Sequence, residues 1–128
     1  HAKAATLVSD ACFLSGLRRI ETIHNGESQE AWRPKHVFHY IQWKNLSPDV
    51  VVDVSGFLDK KMEVVKAYKS QFFEKASEKK ETFIGSKTFW DFIGTRARYH
   101  GFKIGVEFGE PFFVEHPVKF NNLYKFFA

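Results

Sequence analysis

Apolar residues recur at three- and four-residue steps near the start of the chain, at Ala4, Leu7, Val8, Ala11, Cys12 and Leu14, and predict an amphipathic helix over residues 2–17. Gly16 fits its stop. The pattern breaks over residues 18–35, which are mostly polar, carry the turn signal Asn25-Gly26 and close on Arg33-Pro34. So long a connection reads as a functional or mobile loop. His36–Trp43, rich in β-branched and aromatic residues, predicts a strand. After turn residues from Asn45 to Pro48, Asp49–Ser55 predicts a second strand, apolar on both faces and so expected inside a sheet beside the first.

From Ser55 or Gly56 a long helix is expected to about Phe73, with Leu58, Met62, Val65, Tyr68 (or Lys69) and Phe72 on one face. A charged stretch follows, and Ser86 has the character of an N-cap. The next helix carries Phe89, Phe92, Ile93, Arg96 and His100 along one stripe, with Gly101 as its expected end. Val106 to Phe120 reads as extended and aromatic. Helices interleaved with strands in this order predict an α/β layer architecture. The strands are too few for a complete doubly wound sheet. The chain also opens directly on a helical pattern, so N-terminal material is expected to be absent, with residues 1–128 forming the C-terminal part of a single domain.

Composition narrows the class. Hydrophobic residues at 44% and aromatics at 17%, fifteen of them Phe, fit a packed domain rather than a disordered one. No apolar run approaches the roughly 18 residues of a membrane helix. The first twelve residues carry Lys3 and Asp10 without a central apolar block, which predicts no signal peptide. The single cysteine, Cys12, points to a reducing, cytoplasmic compartment. The net charge of +4 is mild, and lysines from Lys60 to Lys80 alternate with acidic residues from Asp59 to Glu81. That is the pattern of a solvated helix face, not of a nucleic-acid-binding stripe.

The chain has no Gly-rich phosphate loop, no Cys-x-x-Cys and no Gly-x-Ser-x-Gly. Histidine is the reactive type in excess, at positions 1, 24, 36, 39, 100 and 116. His36 and His39, three apart on an expected strand, face opposite sides and do not chelate one ion together. They read as core or loop residues. Cys12, on the apolar stripe of the first helix, reads as a small packing residue. Arg33 is held in extended geometry by Pro34 and is able to clamp an anion, although a solvated or stacked loop arginine is the simpler reading.

A wider pattern gives these residues a context. The chain opens His1-Ala2-Lys3-Ala4-Ala5 into Leu7 to Leu17, then runs Gln29-Glu30-Ala31-Trp32-Arg33-Pro34-Lys35-His36-Val37-Phe38-His39-Tyr40-Ile41-Gln42. Pro48 to Ser55, Lys60-Lys61-Met62, Ala67 to Phe72, Arg96-Ala97-Arg98-Tyr99 and Gly105 to Phe112 follow. In order and spacing these segments resemble the C-terminal half of the LmbE/PIG-L zinc N-deacetylases, nearest to the branch that deacetylates N-acetylglucosaminyl-malate in bacillithiol biosynthesis. The resemblance implies the C-terminal half of a Rossmann-like three-layer sheet domain. It also implies Zn2+ as cofactor, an N-acetylated amino sugar as substrate and a homo-oligomer, often a hexamer in this family.

In that family zinc is held by a His and an Asp of an N-terminal His-Pro-Asp-Asp loop and by a later His. The later His closes a His-Pro-Asp-His motif capping the helix that corresponds to residues 2–17. His1 falls on that position, and is thereby implied as a metal ligand. The remainder of both motifs, with the aspartate general base, is absent from these 128 residues, so the chain alone is expected to be inactive. Arg33 matches the family's loop arginine beside the active site, which implies substrate binding and a catalytic role in stabilising negative charge. A reading from another class is a non-catalytic assembly module that uses the aromatic stretch from Phe112 to Phe127 as its interface.

Overall fold

The computed structural model describes residues 2–42, 46–68 and 83–124, and the fold is mixed α/β. The chain divides into two compact units, His1–His39 with Phe113–Ala128, and Tyr40–Phe112.

In the first unit, helix α1 covers Ala2–Leu14 and ends in turns through Gly16, as the apolar spacing predicts. Its stripe, however, is not buried: Leu7 is 69% and Val8 51% exposed. The stretch expected to be an irregular loop holds a small antiparallel hairpin, β1 (Thr22–His24) and β2 (Glu27–Gln29). Its turn is Asn25-Gly26, with φ of 51° and 83°. Two successive residues at positive φ match the right-handed twist of a two-residue hairpin, and Asn-Gly accepts that geometry readily. All six strand residues are exposed, so no apolar alternation announces the hairpin.

In the second unit, β4 (Val50–Asp53) pairs antiparallel with β5 (Gly109–Val114), in the register Val50 with Phe112 and Asp53 with Gly109. Beyond the ladder, the Asp49 N–H donates to the Phe112 carbonyl and the Val54 N–H to the Phe108 carbonyl, each at 3.0 Å. The expected strand at His36–Trp43 is present only as β3 (Phe38–Tyr40), and Trp43 lies outside the described residues. Strand order is β3-β5-β4, so β5 separates the two strands expected to be neighbours. Tyr40 stacks on Phe112 at 5.2 Å between ring centroids, and the Ile41 N–H donates to the Pro111 carbonyl at 3.4 Å. Nor is β4 sheathed on both faces, for Val52 and Asp53 are exposed. The buried strand is β5, where Gly109, Glu110 and Pro111 all lie inside.

Helix α2 covers Leu58–Lys66, shorter than expected, and Phe72 and Phe73 fall outside the described residues. Phe57 occupies its N-cap position without a side-chain cap, while Lys61 reaches from α2 to the buried Glu110 carboxylate. After a short 3-10 turn at Phe83–Gly85, helix α3 runs Lys87–Ile104. Ser86 caps it as its sequence position predicts, its Oγ accepting from the Phe89 N–H at 3.2 Å. The helix does not stop at Gly101. It ends at Gly105, which has φ 75°, and there the Val106 N–H donates to the Gly101 carbonyl and the Gly105 N–H to the Phe102 carbonyl. This pair of bonds is the Schellman termination, which needs a left-handed residue that glycine supplies without strain.

Gly101 serves packing instead. A Cβ there would lie 2.7 Å from the Phe108 backbone N and 2.8 Å from the Glu107 carbonyl. A Cβ on Gly109 would lie 2.8 Å from the Gly101 backbone N. Two glycines thus let α3 touch the backbone leading into β5. The small core gathers around this contact, in Ile93, Ala97, His100, Phe108 and Pro111.

Candidate functional site

Of the two residues implied as site members, His1 lies outside the described residues, directly ahead of Ala2 at the head of α1. Arg33 is described, and its contacts lie at the other end of that helix. Its Nη2 donates to the Phe13 carbonyl at 2.9 Å, and its guanidinium carbon stands 4.6 Å from the Phe13 ring centroid. Gly16 makes the approach possible, because a Cβ there would run into the Arg33 side chain, 2.8 Å from its Cβ. The preceding Trp32 N–H donates to the Ser15 carbonyl at 2.9 Å.

These contacts have a simple physical reason. The last carbonyls of a helix have no partner within it, and the partial negative charge there favours a cation. Arg33 and Trp32 supply both a charge and two donors. Phe13 is eleven residues from Ala2, about 16 Å along the axis at 1.5 Å per residue. In this arrangement Arg33 serves the end of α1 remote from position 1. Arg33→Ala should therefore lower stability by about 0.5–1.5 kcal/mol, the net worth of one hydrogen bond at an exposed position, with a matching drop in the thermal midpoint. An unchanged midpoint combined with lost activity of the intact protein would return Arg33 to the substrate.

The first unit contains a side-chain cluster that the sequence does not announce. Glu115, just past β5, receives two donors on one oxygen: the Ser9 hydroxyl from α1, and His39 Nε2 from β3 at 2.6 Å. The His39 and Glu115 side chains are each 22% exposed. Hydrogen bonds from Ser9 and then His39 hold the Glu115 carboxyl below the ordinary carboxylate range. The stability it contributes is therefore present above its unfolded value and is lost as pH falls through the lowered one.

Ser, His and Glu together invite comparison with a nucleophilic triad, but the geometry is different. In a triad the base nitrogen faces the hydroxyl while the carboxylate holds the opposite ring nitrogen. Here His39 Nε2 is committed to Glu115 and lies 3.5 Å from Ser9 Oγ, whose proton is directed at the same carboxylate. One nitrogen does not serve both partners. The cluster is a clasp joining α1, β3 and the segment after β5. Its members lie 30, 76 and 106 positions apart, so no sequence motif could have found them.

Among the described residues, no group of three or more His, Cys, Asp or Glu side chains is placed to hold a metal ion. Nor is any helix among them long and apolar enough to cross a membrane.

No protein-family model matches the chain. A similar solved structure is that of the conserved protein TT1542 from Thermus thermophilus, at 28% sequence identity and a TM-score of 0.71. The likeness covers 91% of this chain and 46% of that one. The chain thus spans just under half the length of the structure it matches.

Proposed function

We propose that these residues form the C-terminal part of a zinc-dependent N-deacetylase that hydrolyses the acetyl amide of an N-acetylglucosaminyl conjugate such as N-acetylglucosaminyl-malate. The observation that carries this reading is the order of sequence segments from His1 to Phe112, resembling the LmbE/PIG-L enzymes nearly end to end. Helix α1 at Ala2–Leu14 agrees with the helix that the resemblance implies for that segment.

In this reading His1 supplies one zinc ligand, and a His and an Asp from the N-terminal His-Pro-Asp-Asp loop supply the others. Zinc held there would supply polarisation of the amide carbonyl and an activated water. The resemblance also implies Arg33 as a partner for a malate carboxylate through bidentate pairing, a role that would require it to leave the Phe13 carbonyl. Zinc, the cytoplasmic setting and a homo-oligomeric state, hexameric by analogy, all belong to this proposal.

The exposed apolar residues of α1, Leu7, Val8 and Phe13, favour a second reading in which the chain is a non-catalytic assembly module. Substrate comparison separates the two. The intact protein should deacetylate N-acetylglucosaminyl-malate faster than N-acetylglucosamine, because only the conjugate offers carboxylates. Inertness toward both would favour the module.

A further inference from the structure

One buried titratable side chain plays no part in the proposed chemistry. His100, on α3, is 6% exposed, and its Nδ1 has no hydrogen-bond partner among the described residues. The next residue is Gly101, whose backbone presses against Glu107 and Phe108 so closely that no Cβ fits between them. The ring is thus anchored one residue from the tightest contact between α3 and the entry to β5. A neutral imidazole tolerates this place at the cost of one unmade hydrogen bond.

An imidazolium would fare worse. Charged groups reach His100 from its own helix, in Arg96 and Lys103, and from β5, in Glu110. Glu110, 8% exposed, is already ion-paired with Lys61 of α2. Arg96 donates to the Gln42 carbonyl and Lys103 stands over the Tyr99 ring. The Tyr99 ring itself lies edge-on to His100 at 5.0 Å. A third cation would meet two of its own sign and a carboxylate already claimed. Its remedy is water, and water reaches Nδ1 only if the α3–β5 contact loosens.

We propose that His100 is an acid-operated release for the seat of α3 against β5: neutral, it lets the seat close, and protonated, it opens it. Burial, then Lys103 and Arg96, hold the imidazole below its ordinary value of 6.5, against the pull of Glu110. The seat therefore keeps its full stability above pH 6.5 and loses it as pH falls from there toward the lowered folded value. This device is independent of the deacetylase reading.

Hydrogen exchange across residues 100–109, measured on the full chain and on His100→Phe, tests it. As pH falls from about 6.5 to about 5.5, the wild-type opening constant should rise relative to the variant by up to about tenfold, the limit for one proton. The same trend in both proteins would overturn the proposal. If His100→Phe does not fold, the His100 ring is titrated in the wild type by NMR. A midpoint below 6.5 supports the proposal, and one at or above 6.5 overturns it.

Discussion

Replacing His1 with alanine in the intact protein should remove zinc and deacetylase activity together while leaving the fold in place. A catalytic zinc keeps three protein ligands and one open position, so losing one ligand leaves an incomplete site. Even a residue that only orients a ligand is worth about 10–100-fold in affinity or activity, and a ligand itself should exceed that. Zinc content by mass spectrometry, hydrolysis rate and circular dichroism form the set of readouts. Full zinc occupancy in the variant would remove His1 from the metal site and leave the family resemblance without its only ligand in this chain.

Gly101→Ala should produce a large loss of stability in the second unit. The new Cβ would stand 2.7–2.8 Å from backbone atoms of Glu107 and Phe108, which have no flexible end to move aside. Overpacking of this kind costs about 1–3 kcal/mol where side chains give way, and backbone neighbours place the expected value near the top of that range. Gly94 provides the control on the same helix. Nothing lies within 4 Å of its added Cβ, so Gly94→Ala should stabilise by about 0.5–1 kcal/mol through helix propensity alone. Urea unfolding of both variants reads the contrast. Equal effects at the two positions would mean that the α3–β5 contact is not close-packed.

The contrast between these glycines also shows what a sequence discloses. Ser86 was legible as a cap because capping is local, a hydroxyl three residues from the N–H it accepts. Gly101 and Gly105 look alike in sequence, and only the fold distinguishes the one that permits contact from the one that adopts φ 75°. Apolar spacing located α1, yet spacing says nothing of what covers a face, and Leu7 and Val8 stand exposed. The run Val50 to Val54 was legible as a strand, but its partner β5 begins more than fifty residues later and comes between it and β3.

The candidate site divides along the same line. Arg33 drew notice through Trp32 and Pro34 beside it, while its actual partner, the Phe13 carbonyl, is twenty positions away. His39 was visible only as one histidine among six. Ser9 and Glu115, which define what it does, carry no mark in the sequence because their meeting is a product of tertiary structure.

The most direct test of the central claim is the zinc dependence of acetate release by the intact protein acting on N-acetylglucosaminyl-malate. The account predicts acetate and free amine in equal amounts, loss of both when a chelator strips the metal, and recovery on adding zinc back. Acetate release that persists at full rate after complete metal removal, or a zinc-loaded protein that releases none, would contradict it.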